Sequence, residues 1–106
     1  MPKYLLVEGE EKAKSIFPLN KLTKLKADDF IFCLVRTNRG YYAFEKSCPH
    51  QGHTLSLARI NNTNQLVCPL HGYAFDLDYG DEDSYRCREL KRYKTYWEKD
   101  HLYIEF

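Results

Sequence analysis

Short runs of apolar residues are spread along this chain and predict β-strands rather than helices. The clearest run covers residues 30–35 (Phe-Ile-Phe-Cys-Leu-Val), and an aromatic run follows at 41–44, after the tripeptide Asn-Arg-Gly. Two β-rich runs joined by a short loop that contains Asn and Gly are typical of a hairpin. We therefore predict an antiparallel hairpin over residues 30–44.

A second hairpin is predicted at the end of the sequence. Residues 93–97 and 102–106 are rich in aromatic and β-branched side chains, and a polar segment at 98–100 separates them. Helical periodicity is scarce, so the pattern as a whole predicts an all-β domain of several short antiparallel strands. The other predicted elements are strands at 4–7, 21–26, 66–67 and 73–77, and one helical turn at 10–16.

Length and composition fit one folded domain. The chain has 106 residues, and we predict a single domain over residues 1–106. Sixteen basic and fifteen acidic side chains give a formal charge of +1, which argues against a nucleic-acid or membrane-surface partner. No apolar run reaches the ~20 residues that cross a bilayer. Glu8 ends the N-terminal apolar run too early for a signal peptide, so we expect a cytoplasmic protein.

Charge is unevenly distributed in the last third of the sequence. Five acidic residues lie within 76–83, and five basic residues follow within 86–94. We interpret these blocks as a solvated loop followed by a solvated strand face, with a partner-docking patch as the alternative. The acidic residues are Asp76, Asp78, Asp81, Glu82 and Asp83, and the basic residues are Arg86, Arg88, Lys91, Arg92 and Lys94.

Two segments combine cysteine and histidine at spacings that suit one metal centre. Cys48 and His50 form a C-x-H segment, and after seventeen intervening residues Cys68 and His71 form a C-x-x-H segment. Mixed thiolate and imidazole sets suit zinc or iron–sulfur chemistry and disfavour calcium or magnesium. A glycine close to each segment lets backbone N–H groups approach bridging sulfides. The glycines favour an iron–sulfur cluster, and a structural zinc site is the alternative.

The same segments carry a family resemblance. Residues 48–55 (Cys-Pro-His-Gln-Gly-His-Thr-Leu) and 68–76 (Cys-Pro-Leu-His-Gly-Tyr-Ala-Phe-Asp) resemble the two cluster-binding boxes of Rieske proteins. The resemblance implies one [2Fe–2S] cluster and an antiparallel β-sandwich with a two-loop cluster-binding subdomain. The implied ligands are Cys48 and Cys68 on one iron and His50 and His71 on the other. The implied neighbours of the cluster are Gly52, His53, Leu55, Leu70, Gly72, Tyr73 and Phe75.

Within the family, the chain is similar to the soluble Rieske ferredoxins. Rieske proteins of cytochrome complexes have an extra Cys in each box, joined as a disulfide, whereas this chain has His53 and Leu70 at those positions. The resemblance thus implies an electron carrier and not an enzyme, which passes single electrons from a flavin-dependent reductase to a terminal oxygenase. The alternatives are the small subunit of an assimilatory nitrite reductase, bound to its large subunit, and a zinc-stabilised interaction module.

The two cysteines outside the boxes are not predicted to bind metal. Cys33 lies inside an apolar run and is interpreted as a small core residue, and Cys87, between two arginines, as an inert surface thiol.

Many Rieske relatives shield the cluster with a segment after the second box that contains Gly and Pro. Residues 80–87 contain no Pro, so the resemblance supplies no shield on that side.

The implied ligands make the cluster easy to reduce. Two ferric irons, two sulfides and two thiolates sum to zero charge, because neutral imidazoles add none, whereas a cluster with four thiolates is a dianion. Rieske potentials accordingly run from about −150 to +300 mV, against about −400 mV for all-cysteine clusters of the plant type.

We predict a reduction potential near the lower end of the Rieske range. In relatives from cytochrome complexes, a Ser and a Tyr donate hydrogen bonds to cluster sulfurs. The matching positions here are Tyr73 and Phe75, and Phe75 has no hydroxyl. Fewer donors stabilise the reduced cluster less. A redox titration checks this prediction, and a midpoint well above about 0 mV would contradict it.

Overall fold

The computed structural model describes residues 3–47, 58–68 and 72–106. Within these ranges the chain forms nine β-strands and one short helix, α1 (Glu10–Ile16). Every pairing between these strands is antiparallel, which confirms the predicted all-β fold. The strands are β1 (Lys3–Glu8), β2 (Leu22–Ala27), β3 (Phe30–Thr37), β4 (Gly40–Phe44), β5 (Arg59–Ile60), β6 (Gln65–Val67), β7 (Ala74–Asp76), β8 (Arg92–Glu98) and β9 (His101–Glu105).

The strands form a large sheet and a small sheet. The large sheet has six strands in the order β1-β9-β8-β4-β3-β2, and the small sheet has three in the order β5-β6-β7. Both predicted hairpins are present, as β3–β4 and β8–β9. Lys99 and Asp100 connect β8 to β9 with φ of 50° and 65°. Two successive residues with positive φ are typical of the type I′ turn, whose twist matches that of the flanking strands.

Strand β3 is buried on both faces, which explains why its sequence is a continuous apolar run. Phe32 and Leu34 point into one apolar cluster, and Cys33 and Val35 point into another. We call the first the helix-side cluster; its members are Val7, Ala13, Phe17, Phe32, Leu34, Ala43, Leu102 and Ile104. We call the second the sheet-bridging cluster; its members are Cys33, Val35, Phe44, Leu66, Cys68, Phe75, Leu77 and Leu90.

Helix α1 closes the helix-side cluster. It has seven residues, about two turns where the sequence predicted one, and its Ala13 is fully buried. The carbonyl of Phe17, just after the helix, accepts a hydrogen bond from Arg36 Nε at 2.8 Å. In the described ranges, no helix has the length and hydropathy that crossing a lipid bilayer requires.

The segment between β7 and β8 folds back onto the small sheet. A β-bridge joins Glu82 to Phe75 in β7, and the Asp83 N–H donates to the Ala74 carbonyl at 2.8 Å. Farther along, the Leu90 N–H donates to the Gly80 carbonyl at 2.6 Å. The segment therefore has a fixed path, although it contains no named strand.

We predict that Gly80→Ala destabilises the fold by about 2–4 kcal/mol. Gly80 has φ of +89°, and a Cβ there would meet the Leu90 carbonyl oxygen at 2.6 Å and Arg92 Nε at 2.9 Å. The matched control is Gly9→Ala, because Gly9 has φ of +91° but its Cβ would meet nothing nearer than 3.9 Å. Urea unfolding followed by circular dichroism measures both variants. Equal losses in the two would show that the close approach at Gly80 contributes nothing.

Candidate functional site

The second cysteine–histidine segment connects β6 to β7. Val67 pairs with Ala74 across these strands, and the Cys68 N–H donates to the Tyr73 carbonyl at 2.7 Å. The antiparallel pairing thus continues one residue beyond each strand and closes the loop at Cys68 and Tyr73. Gly72 has φ of +66°, a left-handed conformation that glycine adopts without steric cost. The segment that contains the predicted ligand Cys68 therefore lies between two paired strands of the small sheet.

Strand β5, which follows the first segment in the sequence, begins at the same end of the small sheet. Arg59, at the start of β5, pairs with Val67, at the end of β6. Because the two strands are antiparallel, the chain enters β5 beside the point where β6 leads into Cys68. The segment 48–57 and the loop that follows Cys68 are therefore attached to neighbouring positions of one sheet.

Cys68 is fully buried in the sheet-bridging cluster. Phe75 of β7 is fully buried in the same cluster, and so is Cys33 of β3, which confirms the core interpretation of Cys33. A thiolate donor against an apolar wall fits an iron–sulfur cluster, since the apolar surroundings limit solvent access to the metal and tune its potential. On this observation the residues present fit the predicted group.

Three predicted neighbours of the cluster can be located beside Cys68. Gly72 and Tyr73 follow in its loop, and Phe75 lies on β7. Among the residues that the structure describes, no group of three or more His, Cys, Asp or Glu side chains could hold a metal ion; Cys68 is the predicted ligand in these ranges. The other predicted site residues lie outside the described residues: Cys48, His50, Gly52, His53, Leu55, Leu70 and His71.

The interpretation of residues 76–83 as a solvated loop is wrong at Glu82. Its side chain is fully buried, and it forms an ion pair with Arg86. Glu82 Oε1 accepts from the Arg86 backbone N–H at 2.9 Å and from Nε at 3.1 Å, and Oε2 accepts from an Nη at 2.9 Å. The hydrogen bond with the Arg86 side chain is the main reason that the pKa of Glu82 falls to about 2, and burial opposes this shift.

The basic block is also engaged with the protein and is not simply a solvated face. Arg88 forms two hydrogen bonds with the carboxylate of Glu45, at 2.7 and 2.8 Å, and Arg92 donates to the Asp78 carbonyl at 2.6 Å. Sequence reasoning had no signal for this pair, because a spacing of four residues brings side chains together on a helix, and residues 82–86 do not form one.

Two tertiary contacts complete the surroundings of the second loop. The guanidinium carbon of Arg86 lies 3.8 Å from the centre of the Tyr73 ring, within the range of a cation–π interaction. Cys87 is half-buried and packs against the sheet-bridging cluster. The interpretation of Cys87 as a surface thiol is therefore wrong, because the segment after β7 turns this side chain towards the core.

Comparison with known proteins identifies the fold and the family. The family model described as Rieske [2Fe-2S] domain matches residues 10–94. The oxygenase subunit of carnitine monooxygenase from Escherichia coli (strain K12) is 32% identical over 53 residues, which make up 50% of this chain and 14% of that protein. The chain therefore spans a small part of the length of this curated relative.

Solved structures share the architecture over nearly the whole chain. The ferredoxin of carbazole 1,9a-dioxygenase from Nocardioides aromaticivorans IC177 superposes with a TM-score of 0.78 at 17% identity, over 98% of this chain and 97% of its own. A putative NADH-dependent nitrite reductase small subunit from Mycobacterium tuberculosis superposes with a TM-score of 0.78 at 14% identity, over 97% of this chain and 93% of its own. At these identities the likeness shows the fold.

We predict that Glu82 stabilises the fold in a pH-dependent way. Its pKa is about 2 in the folded protein, below the ordinary value of 4.5. The stabilisation is therefore complete above about pH 4.5 and is lost as the pH falls towards 2. At neutral pH, Glu82→Gln should lower the free energy of unfolding by about 1–3 kcal/mol.

Urea midpoints of the wild type and Glu82→Gln, measured from about pH 7 to about pH 3, check this prediction. The difference should shrink below about pH 4.5, since the unfolded wild type then binds a proton at Glu82 that the folded wild type does not bind. Asp83→Asn, which removes an exposed carboxylate at the next position, is the matched control. A difference between wild type and Glu82→Gln that stays constant with pH would contradict the prediction.

Proposed function

Because this chain belongs to the Rieske [2Fe–2S] domain family, we propose that it is the electron-transferring ferredoxin of an oxygenase system. Rieske domains bind a [2Fe–2S] cluster. A flavin-dependent reductase would supply electrons one at a time, and a terminal oxygenase would receive them. The proposed ligands are Cys48 and Cys68 on one iron and His50 and His71 on the other.

The observation that carries this proposal is the pairing of Arg59 with Val67. It attaches the segment 48–57 and the loop after Cys68 to neighbouring positions of one small sheet. Two ligand-bearing segments that are separated by seventeen residues in the sequence can then contribute to one centre. The burial of Cys68 supports the same assignment, since the ligand emerges directly from the packed core.

The chain's own residues have two tasks in this function. The bound cluster supplies a reversible one-electron acceptor. Phe75 and Leu66 pack around Cys68 and exclude water from that side, and the hydrogen bond from Cys68 to Tyr73 holds the two ends of the second loop together. Both tasks are structural, as expected for a carrier.

A second candidate function is that of a nitrite reductase small subunit, which the similarity to the Mycobacterium tuberculosis protein favours. The partner distinguishes the two. A partner that copurifies with the tagged chain and carries mononuclear non-haem iron would indicate an oxygenase. A partner that carries sirohaem would indicate a nitrite reductase and overturn the first proposal.

We predict that Cys68→Ala abolishes the cluster and that Cys33→Ala does not. Both cysteines are fully buried in the sheet-bridging cluster, so the two substitutions remove a thiol from similar apolar surroundings. Iron and acid-labile sulfide content, with EPR spectra after reduction by dithionite, measure the outcome. The wild type and Cys33→Ala should show the rhombic signal of a reduced [2Fe–2S] cluster, and Cys68→Ala should not.

A colourless wild-type protein without acid-labile sulfide would overturn the proposed function. A zinc content of one ion per chain in that protein would identify the zinc-stabilised module instead. Retention of the cluster in Cys68→Ala would leave the family assignment in place and overturn the ligand assignment.

A further inference from the structure

An ion pair with a buried carboxylate lies next to the second cluster-binding loop, and the proposed function does not use it. The Glu82 carboxylate is fully buried, whereas 44% of the Arg86 side chain is exposed. Both carboxylate oxygens accept hydrogen bonds from the guanidinium, at 3.1 and 2.9 Å. This fork geometry fixes the plane and direction of the guanidinium, which a lysine ammonium could not reproduce.

The guanidinium connects this pair to the loop. The Arg86 guanidinium carbon lies 3.8 Å from the centre of the Tyr73 ring. The Tyr73 carbonyl accepts the hydrogen bond from the Cys68 N–H at 2.7 Å. A continuous series of contacts therefore leads from Glu82, through Arg86 and Tyr73, to the backbone of a proposed cluster ligand.

The other end of this series is anchored on β7. Glu82 forms a β-bridge with Phe75, and its carbonyl accepts from the Tyr85 N–H at 3.0 Å. The Asp83 N–H donates to the Ala74 carbonyl at 2.8 Å. The carboxylate that orients Arg86 is thus held by the strand that immediately follows the loop.

We propose that Arg86, oriented by Glu82, is a positioning residue that holds the second cluster-binding loop in place through the Tyr73 ring. The segment 80–87 supplies this ion pair as its support for the loop. The inference rests on the proposed function, because it takes the loop to carry cluster ligands.

Charge balance explains why the support is a pair and not an arginine alone. The cluster gains one negative charge when it is reduced, so a lone cation near the loop would favour the reduced state and raise the potential. The buried carboxylate of Glu82 offsets the charge of Arg86. The pair therefore positions the loop with little effect on the potential.

Four variants of the holoprotein test this inference: Glu82→Gln, Arg86→Gln, Arg86→Lys and the double variant with both glutamines. The rate at which a chelator removes iron reports on the loop, and a redox titration reports on the charge near the cluster. We expect Arg86→Gln to lose iron about tenfold faster than the wild type. Removing a group that supports a metal ligand typically has an effect of about 10- to 100-fold, and this expectation is the lower end of that range. Arg86→Lys should be intermediate, since it keeps the charge without the fork.

The midpoint potential should move in opposite directions in the two single variants. Glu82→Gln leaves an unbalanced cation and should raise the midpoint, and Arg86→Gln leaves an unbalanced carboxylate and should lower it. The double variant should return to the midpoint of the wild type while it still loses iron quickly. A purely structural defect would not produce shifts of opposite sign that cancel.

The matched controls are Lys3→Gln and Glu98→Gln. Lys3 Nζ lies 3.3 Å from Glu98 Oε1 and 4.5 Å from the centre of the Tyr103 ring, so a cation, a carboxylate and a tyrosine ring also meet on the large sheet, at an exposed position and without the guanidinium fork. These variants should match the wild type in both measurements. Iron loss at the wild-type rate in both Glu82→Gln and Arg86→Gln overturns the inference, and so does equal acceleration in the controls. A wild type without a cluster overturns the proposed function instead.

Discussion

The packing of the small sheet against the large sheet is the constraint on which the site depends. Strands β5, β6 and β7 have only two or three residues each, and a sheet this small is not stable by itself. Its apolar side chains are buried because β3 and β4 contribute Cys33, Val35 and Phe44 to the same cluster. The large sheet therefore determines where β6 ends, and Cys68 follows directly. Core packing and the placement of Cys68, a proposed ligand, are consequences of one contact.

The hairpins of the large sheet follow from local sequence patterns, and the pairing of the small sheet does not. In each hairpin, two runs of strand-forming residues flank a short polar turn, at 38–40 in the first and at 98–100 in the second. Both hairpins were therefore predictable from the sequence. Strand β5 (Arg59–Ile60) escaped prediction because two residues in a polar stretch show no alternation. It exists because Ile60 packs on the sheet-bridging cluster and pairs with Leu66, a tertiary contact that overrides local preference.

The candidate site divides in the same way. The cysteine and histidine spacings predict a metal centre, and the structure shows Cys68 buried with Tyr73 and Phe75 beside it. The burial of Glu82 could not be predicted from the sequence, since a block of acidic residues has the same composition whether or not one of them is buried. A carboxylate enters a core only where hydrogen bonds replace its hydration. Arg86 provides these hydrogen bonds, and it does so through a turn whose path the sequence pattern does not predict.

The Glu82–Arg86 pair illustrates what a buried ion pair contributes near a redox centre. Desolvation cancels much of the attraction between such charges, so pairs of this kind are weak sources of stability and better sources of geometry. Here the geometry is a guanidinium held over the Tyr73 ring, one residue after Gly72, whose left-handed conformation turns the loop. A flexible glycine and a rigid stack next to it have complementary effects. The glycine allows the backbone a left-handed turn just before Tyr73, and the stack restricts the position of the Tyr73 ring.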